Sequence, residues 1–322
     1  MIALDEIRRA AATIAPEASV TPVLRSERLN ALVGATVFAK DESQQRAGAF
    51  KFRGAFNRLS AIPVEDRPRG VVAVSSGNHG AAVACAAQIL GIEATVHVPQ
   101  DVAEAKRALI EHFGARIVMF DRSTPDREAG ARQQVADTGA TFVHPFEDPL
   151  VMAGQGTAAL ELHEQIGALD ALLVPMSGGG LMAGCASAMC QLDADCELIG
   201  VEPTAADDTR QSFAAGHPVR IAQPNTIADG LAVTAPGDAT FAINHHLVDD
   251  VVCVTDAQLV EAMRIAQDLW GRRLEPSGVA GLAAVLADTD RFRNRRVGIV
   301  LSGGNIDEAR FDLLTDLPTR AE

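Results

Sequence analysis

Short apolar runs recur along the chain from Val37 onward, most of them separated by a turn and a helix-like stretch. Val37–Lys40 reads as a strand, and after a glycine-containing loop Phe52–Leu59 reads as a helix. From Val71 to about Val143 the rhythm tightens into VVAV, an Ala-rich helix, TVHV, a helix, ARIVMF, a helix and TFV. Gly154–Ile166 opens a further helix, and ALLVP, CELIGVEP, VVCVTD and VGIVL supply further strands. Alternation of this kind predicts parallel sheets built from βαβ units. The expected fold is therefore α/β and two-lobed, with parallel sheets flanked by helices. Residues 68–146 form the small lobe, and 1–67 with 147–322 form the large one. The opening MIALDEIRRAAATIAP places acids ahead of arginines on an amphipathic helix. Ala205–Asp238, rich in Pro, Gly, Asp and Thr, is the longest irregular segment and a candidate functional loop.

At 322 residues the chain accommodates two such lobes, and its 48% hydrophobic residues suit large cores. Composition removes several function classes. Tyrosine is absent and Trp270 is the one tryptophan, so aromatic platforms for single-stranded nucleic acid are not expected. A formal net charge of −14 disfavours a broad nucleic-acid or acidic-membrane surface but not a local phosphate site. No apolar stretch approaches the ~20 residues of a membrane span. Five cysteines, with no CxxC pair, predict buried free thiols and a reducing cytoplasm. RFRNRR, Arg291–Arg296, reads as a solvated loop.

Three glycine-rich turns carry the chemistry: SSGNHG at Ser75–Gly80, SGGG at Ser177–Gly180 and LSGGN at Leu301–Asn305. Each follows a buried-strand run, and the first two open directly into helices. Glycine lets backbone N–H groups approach a ligand closely, and a helix N-terminus adds roughly half a positive charge. Several such turns imply one small, multiply anionic ligand. Lys51 lies between Phe50 and Phe52 at a helix start, where apolar surface and the helix dipole lower its pKa from ~10.4 and free a neutral amine for imine chemistry.

With that lysine in place, the chain resembles the fold-type-II pyridoxal-phosphate enzymes of the serine/threonine dehydratase and serine racemase family, whose fold is like that of the tryptophan synthase β chain. TPVLRSERLN, AGAFKFRGA, SSGNHG, HPFEDPLVMAGQGT, SGGGLMAG, GVEPTAADD, LEPSG and LSGGN occur in the family's order over nearly the whole chain. The resemblance implies that Lys51 carries the cofactor, with Phe50 beside it, and that the large lobe binds it. Ser177, Gly178, Gly179, Gly180 and Leu181 would hold its phosphate, Asn78 its 3′-oxygen and Ser302 its pyridine nitrogen, with Glu275 near the ring. Ser75, Ser76, Gly77, Asn78 and His79 would wrap the substrate carboxylate, and Arg127 would reach toward the substrate. Glu202, Asp208 and the Ala206 carbonyl match the family's site for a divalent cation, Mg²⁺ or else Ca²⁺ or Mn²⁺; the plainer reading is that these acids cap the next helix.

The expected reaction is elimination of water from a β-hydroxy amino acid (L-serine, L-threonine or 3-hydroxyaspartate), giving a 2-oxo acid and ammonia. Ser76 opens a second reading, a serine or aspartate racemase with Lys51 and Ser76 as opposed acid/bases, because racemisation needs a proton donor on each face of Cα. A remote alternative is a nicotinamide dehydrogenase, since GGGLMA satisfies G-x-G-x-x-A with Glu202 about 20 residues on; it leaves Lys51 and the other two turns unexplained. A small amino acid is the expected partner, with neither nucleic acid nor membrane, and the family implies a homodimer.

Overall fold

The computed structural model describes residues 1–75, 77–121 and 126–316. In chain order its strands are β1 (Val23–Leu24), β2 (Thr36–Asp41), β3 (Val71–Val74), β4 (Ala94–Pro99), β5 (Arg116–Phe120), β6 (Thr141–Phe142), β7 (Ala171–Pro175), β8 (Glu197–Pro203), β9 (Asp250–Val254) and β10 (Arg296–Leu301). They form a six-stranded sheet in the order β1-β2-β10-β7-β8-β9 and a four-stranded sheet in the order β5-β4-β3-β6. Every pairing is parallel except β1 with β2. Both sheets are α/β layers, as the sequence rhythm predicts.

Strand alternation explains the layering. In β7, Ala171 and Leu173 face a core shared with the Asp256–Trp270 and Ala280–Ala287 helices. Their neighbours Leu172 and Val174 face the Leu4–Ile14, Pro149–Ile166 and Gly180–Leu192 helices on the other side. A strand buried on both faces has no polar positions, which is why it reads as a continuous apolar run. Each buried Leu or Val contributes about 1.5–3 kcal/mol relative to exposure. In the small sheet Val71, Ala73, Val96 and Val98 pack on Phe52, Ala55, Phe56 and Leu59 of the Lys51–Ser60 helix. That helix carries the candidate lysine at its first position.

The Pro149–Ile166 helix meets the Gly180–Leu192 helix so closely that a Cβ on Gly184 would lie 2.3 Å from the Met152 carbonyl oxygen. The pair fixes the start of the Gly180–Leu192 helix, where one glycine turn sits. Between the Lys51–Ser60 and Pro149–Ile166 helices, fully buried Arg53 bonds Glu42 through Nε at 2.7 Å and Glu161 through Nη2 at 3.1 Å. Lys40 Nζ bonds the same Glu161 and the Gln165 side chain.

Three local expectations change. The helix expected from Gly154 begins at Pro149, where Asp148 accepts the N–H groups of Leu150 and Val151. Asp-Pro is itself a helix-start signal. Within Ala205–Asp238, Asp208–Ala215 is helical, and the remainder has short 3₁₀ turns at Thr204–Ala206 and Asp229–Leu231. Arg291 and Arg295 are not simply solvated: both pair with Glu197, and Arg291 also with Asp250. The five cysteines are unpaired, and Cys85, Cys185 and Cys196 are buried. No described helix is long and apolar enough to cross a membrane.

Candidate active site

The three glycine-rich turns converge. Each follows the C-terminal end of a parallel strand (β3, β7 or β10), where open α/β sheets place their ligands. Together they line a cavity of about 460 Å³. Ser75, Gly77, Asn78 and His79 enter from the first turn, Ser177 through Leu181 from the second and Ser302 from the third. Lys51, Phe50, Arg127 and Glu275 complete the sequence-predicted set around the same space. Ser76 lies outside the described residues.

Lys51 opens its helix, and its Nζ donates to the Pro145 carbonyl at 2.9 Å. The Phe50 ring centroid is 5.1 Å from the amine. Burial lowers the Lys51 pKa to about 8, in the direction that Phe50 and Phe52 imply. A substantial neutral fraction is then present near pH 8, as a nucleophile or proton acceptor requires.

The second turn is shaped to offer its N–H groups. Gly179 has φ +89°, and its neighbour Gly178 has no room for a side chain: a Cβ there would lie 2.4 Å from the Phe146 ring. Behind the turn, Thr240 Oγ1 donates to the Gly178 carbonyl at 2.5 Å and Asn244 Nδ2 to the Gly179 carbonyl at 3.1 Å. The carbonyls are thus tied to the Asp238–Leu247 helix, while the first N–H groups of the Gly180–Leu192 helix have no intrahelical acceptor. Such an arrangement is able to hold an anion.

Asn78 links two of the turns. Its Nδ2 donates to Glu275 Oε1 at 2.6 Å, and its Oδ1 accepts from Asn305 Nδ2 at 2.8 Å. Burial raises the Glu275 pKa to about 7, with the Asn78 bond working against the rise. His79 donates from Nε2 to the Val143 carbonyl at 2.9 Å, and its Nδ1 is buried without a partner among the described residues. Burial, then the Lys51 charge, depresses its pKa to about 3, so the ring is neutral at physiological pH.

Two contacts across the cavity wall were not legible in the sequence. Arg127 Nη2 donates to Gln223 Oε1 at 3.0 Å, and Lys106 Nζ donates to Asp229. All four residues line the cavity. Lys106 has no local signal, being one basic residue of the Glu104–His112 helix. Asn305 and Phe146 stand inside quoted blocks, but the blocks do not reveal their contacts.

Glu202 lies near Asp208, toward the C-terminal end of β8 between β7 and β9. Both Glu202 oxygens accept backbone N–H groups, from Thr209 at 3.1 Å and Arg210 at 3.0 Å. Glu202 therefore caps the Asp208–Ala215 helix, and it does not line the cavity that the GGGLMA turn faces, which removes the support for the dehydrogenase reading. Asp208 does not cap: both its oxygens are buried without a partner among the described residues. Burial raises Glu202 to about 8, with the Asp208 charge adding, and raises Asp208 to about 7. Ala206 is buried beside them in sequence. The described residues contain no cluster of three or more His, Cys, Asp or Glu side chains with metal-site geometry.

Comparison with known proteins places this geometry. Over 294 residues the chain is 44% identical to L-threo-3-hydroxyaspartate ammonia-lyase of Saccharomyces cerevisiae, covering 91% of this chain and 90% of that one. It is 43% identical over 307 residues to serine racemase of Schizosaccharomyces pombe, covering 95% of each. The solved structure of maize serine racemase superposes with a TM-score of 0.92 at 40% identity, over 96% of this chain and 95% of that one. Residues 14–303 match the model of the pyridoxal-phosphate dependent enzymes, and the chain belongs to that family.

Proposed function

We propose that the protein is a pyridoxal-phosphate dependent ammonia-lyase acting on a β-hydroxy amino acid, with 3-hydroxyaspartate as its preferred substrate. The observation that carries the substrate is the charge of the cavity wall. Serine needs one anion site, which the Ser75–Gly80 turn offers; a dicarboxylate needs a second cation. Lys106 is neutralised by Asp229, whereas Arg127 bonds the neutral amide of Gln223 and keeps its charge for a ligand. The resemblance to a hydroxyaspartate ammonia-lyase points the same way.

The site suits the cofactor. The Gly178–Gly180 turn, with its carbonyls held from behind, offers a phosphate cradle, and Lys51 offers an amine of lowered pKa. Ser302 would face the pyridine nitrogen as a neutral partner, with Asn78, held by Glu275 and Asn305, near the ring oxygen. Bound there, the cofactor withdraws electrons from the substrate's Cα–H bond. The neutral Lys51 amine removes the Cα proton, and the β-hydroxyl leaves as water. Hydrolysis of the released enamine then gives a 2-oxo acid and ammonia. The first turn and Arg127 hold the two carboxylates so that Cα–H faces Lys51.

The reading includes a divalent cation on Glu202, Asp208 and the Ala206 carbonyl, supported by the two orphaned Asp208 oxygens and by both raised pKa values. It also includes a homodimer in the cytoplasm, where the unpaired thiols suit a reducing compartment. A second reading, racemisation through Lys51 and Ser76, is favoured by the likeness to serine racemases. Turnover of holoenzyme on L-threo-3-hydroxyaspartate, L-serine and L-threonine separates the two. We expect 2-oxo acid, fastest from hydroxyaspartate, little D-enantiomer, and no product from Lys51→Ala. D-product exceeding oxo acid would establish the racemase, and turnover surviving in Lys51→Ala would refute both.

A further inference from the structure

His144 is absent from the mechanism above, yet the loop it organises touches both ends of the cofactor site. The imidazole Nδ1 accepts two backbone N–H bonds, from Phe146 at 3.3 Å and from Glu147 at 2.9 Å. A ring nitrogen accepts only when unprotonated, so the proton of the neutral ring is assigned to Nε2. The ring also meets Phe146 edge-on, with centroids 4.6 Å apart. These contacts close residues 144–147 into a tight turn with three outputs. The Pro145 carbonyl accepts from Lys51 Nζ. Phe146 packs against the glycine turn, its ring over Gly178 and its Cβ 2.8 Å from where a Gly180 Cβ would stand. Glu147 Oε1 accepts the Ala239 N–H at the start of the helix whose Thr240 and Asn244 hold the glycine turn from behind.

We infer that His144 is a positioning residue, whose unprotonated Nδ1 sets the turn that orients the Lys51 amine and the phosphate cradle together. Protonating this one ring then loosens both at once. The charged groups facing it are Glu128, Glu147 and Asp148, which favour protonation, and Lys51, which opposes it. Burial is the largest influence and holds His144 below the ordinary imidazole value. The turn is therefore intact at neutral pH and is lost on acidification through the range below ~6.5.

The inference rests on the reading of Lys51 and the glycine turn as the cofactor site. It is tested on the apoprotein with sulfate, an anion whose charge does not change in this range, and by the pH profile of Lys51 reductive methylation. For the wild type we expect sulfate affinity to fall about tenfold on acidification, in step with His144 protonation followed by ¹⁵N–¹H spectroscopy of the imidazole. In His144→Asn, whose side-chain oxygen stands in for Nδ1, neutral-pH affinity should stay within about twofold and the acid fall should vanish. In His144→Leu the affinity should drop about tenfold at neutral pH, with a shifted Lys51 profile. An acid fall that persists in His144→Asn overturns the inference, as does a wild-type fall while His144 remains neutral. Failure of the wild type to bind sulfate at all would overturn the cradle, and with it the cofactor reading; this outcome is distinct from the other two.

Discussion

Two sets of buried charges lie in this molecule, and they are built on opposite terms. Arg53 and Lys40 are enclosed with Glu42 and Glu161, and every charge has a partner of opposite sign. Burial pushes the Glu161 pKa up, but Arg53 and Lys40 outweigh it and hold the carboxyl below its usual range. Glu202 and Asp208 are also enclosed, yet their pKa values are pushed to about 8 and 7, and Asp208 has no hydrogen-bond partner among the described residues. The first set ties β2 to the Lys51–Ser60 and Pro149–Ile166 helices. The second has no cation among its hydrogen-bond partners in the described residues, and it is the pair to which the proposed divalent cation is assigned. The difference teaches that burial alone does not separate structural from functional charge; the state of the partners does.

Breaking the closed set should have the largest effect. Arg53→Leu leaves Glu42 and part of Glu161 buried without a cation, and we expect a loss of about 3–5 kcal/mol by denaturant unfolding. Loading the open set should come next. Mg²⁺ at about 100 times its Kd should stabilise the protein by roughly 2.7 kcal/mol, and Asp208→Asn should abolish the gain. Equal stabilisation of wild type and Asp208→Asn would place the cation elsewhere.

The two sets also differ in their pH dependence. Carboxyls raised above their unfolded values bind more protons folded than unfolded, so their contribution falls as pH rises. With divalent ions chelated, stability should therefore decline from about pH 5 toward pH 8 as Glu202 and Asp208 lose protons. Mg²⁺ should flatten that decline, and in Asp208→Asn the slope should be shallower without metal. A slope that is unchanged in Asp208→Asn would assign it to other groups.

Much of this was legible in the sequence, for physical reasons. Strands buried on both faces leave uninterrupted apolar runs, and each such run quoted above is a strand. The glycine turns were visible because close backbone approach admits little else, as Phe146 against Gly178 illustrates. Lys51 was visible because Phe50 and Phe52 flank it. Contacts between distant segments were not legible. Arg127 meets Gln223 across 96 residues and Lys106 meets Asp229 across 123, and neither pair has a periodic or compositional trace. A helix after Glu202 and Asp208 was foreseen in the capping reading of those acids, but its extent, Asp208–Ala215, was hidden because Pro, Gly and Asp around it leave only a short helical pattern. The role of His144 was hidden because an Nδ1 accepting backbone N–H groups depends on a loop geometry that no motif encodes.

The same comparison can be put to the cavity, where among the described residues Arg127 bonds the neutral amide of Gln223 and Lys106 is matched by Asp229. The most direct test is the ratio of kcat/KM for L-threo-3-hydroxyaspartate to that for L-serine in the holoenzyme and in Arg127→Gln. Removing one charge-assisted contact of about 1.5–3 kcal/mol should lower the ratio by about 10- to 150-fold while serine turnover stays within a few-fold. Equal losses on both substrates, or none, would contradict the assignment of Arg127 to a second carboxylate.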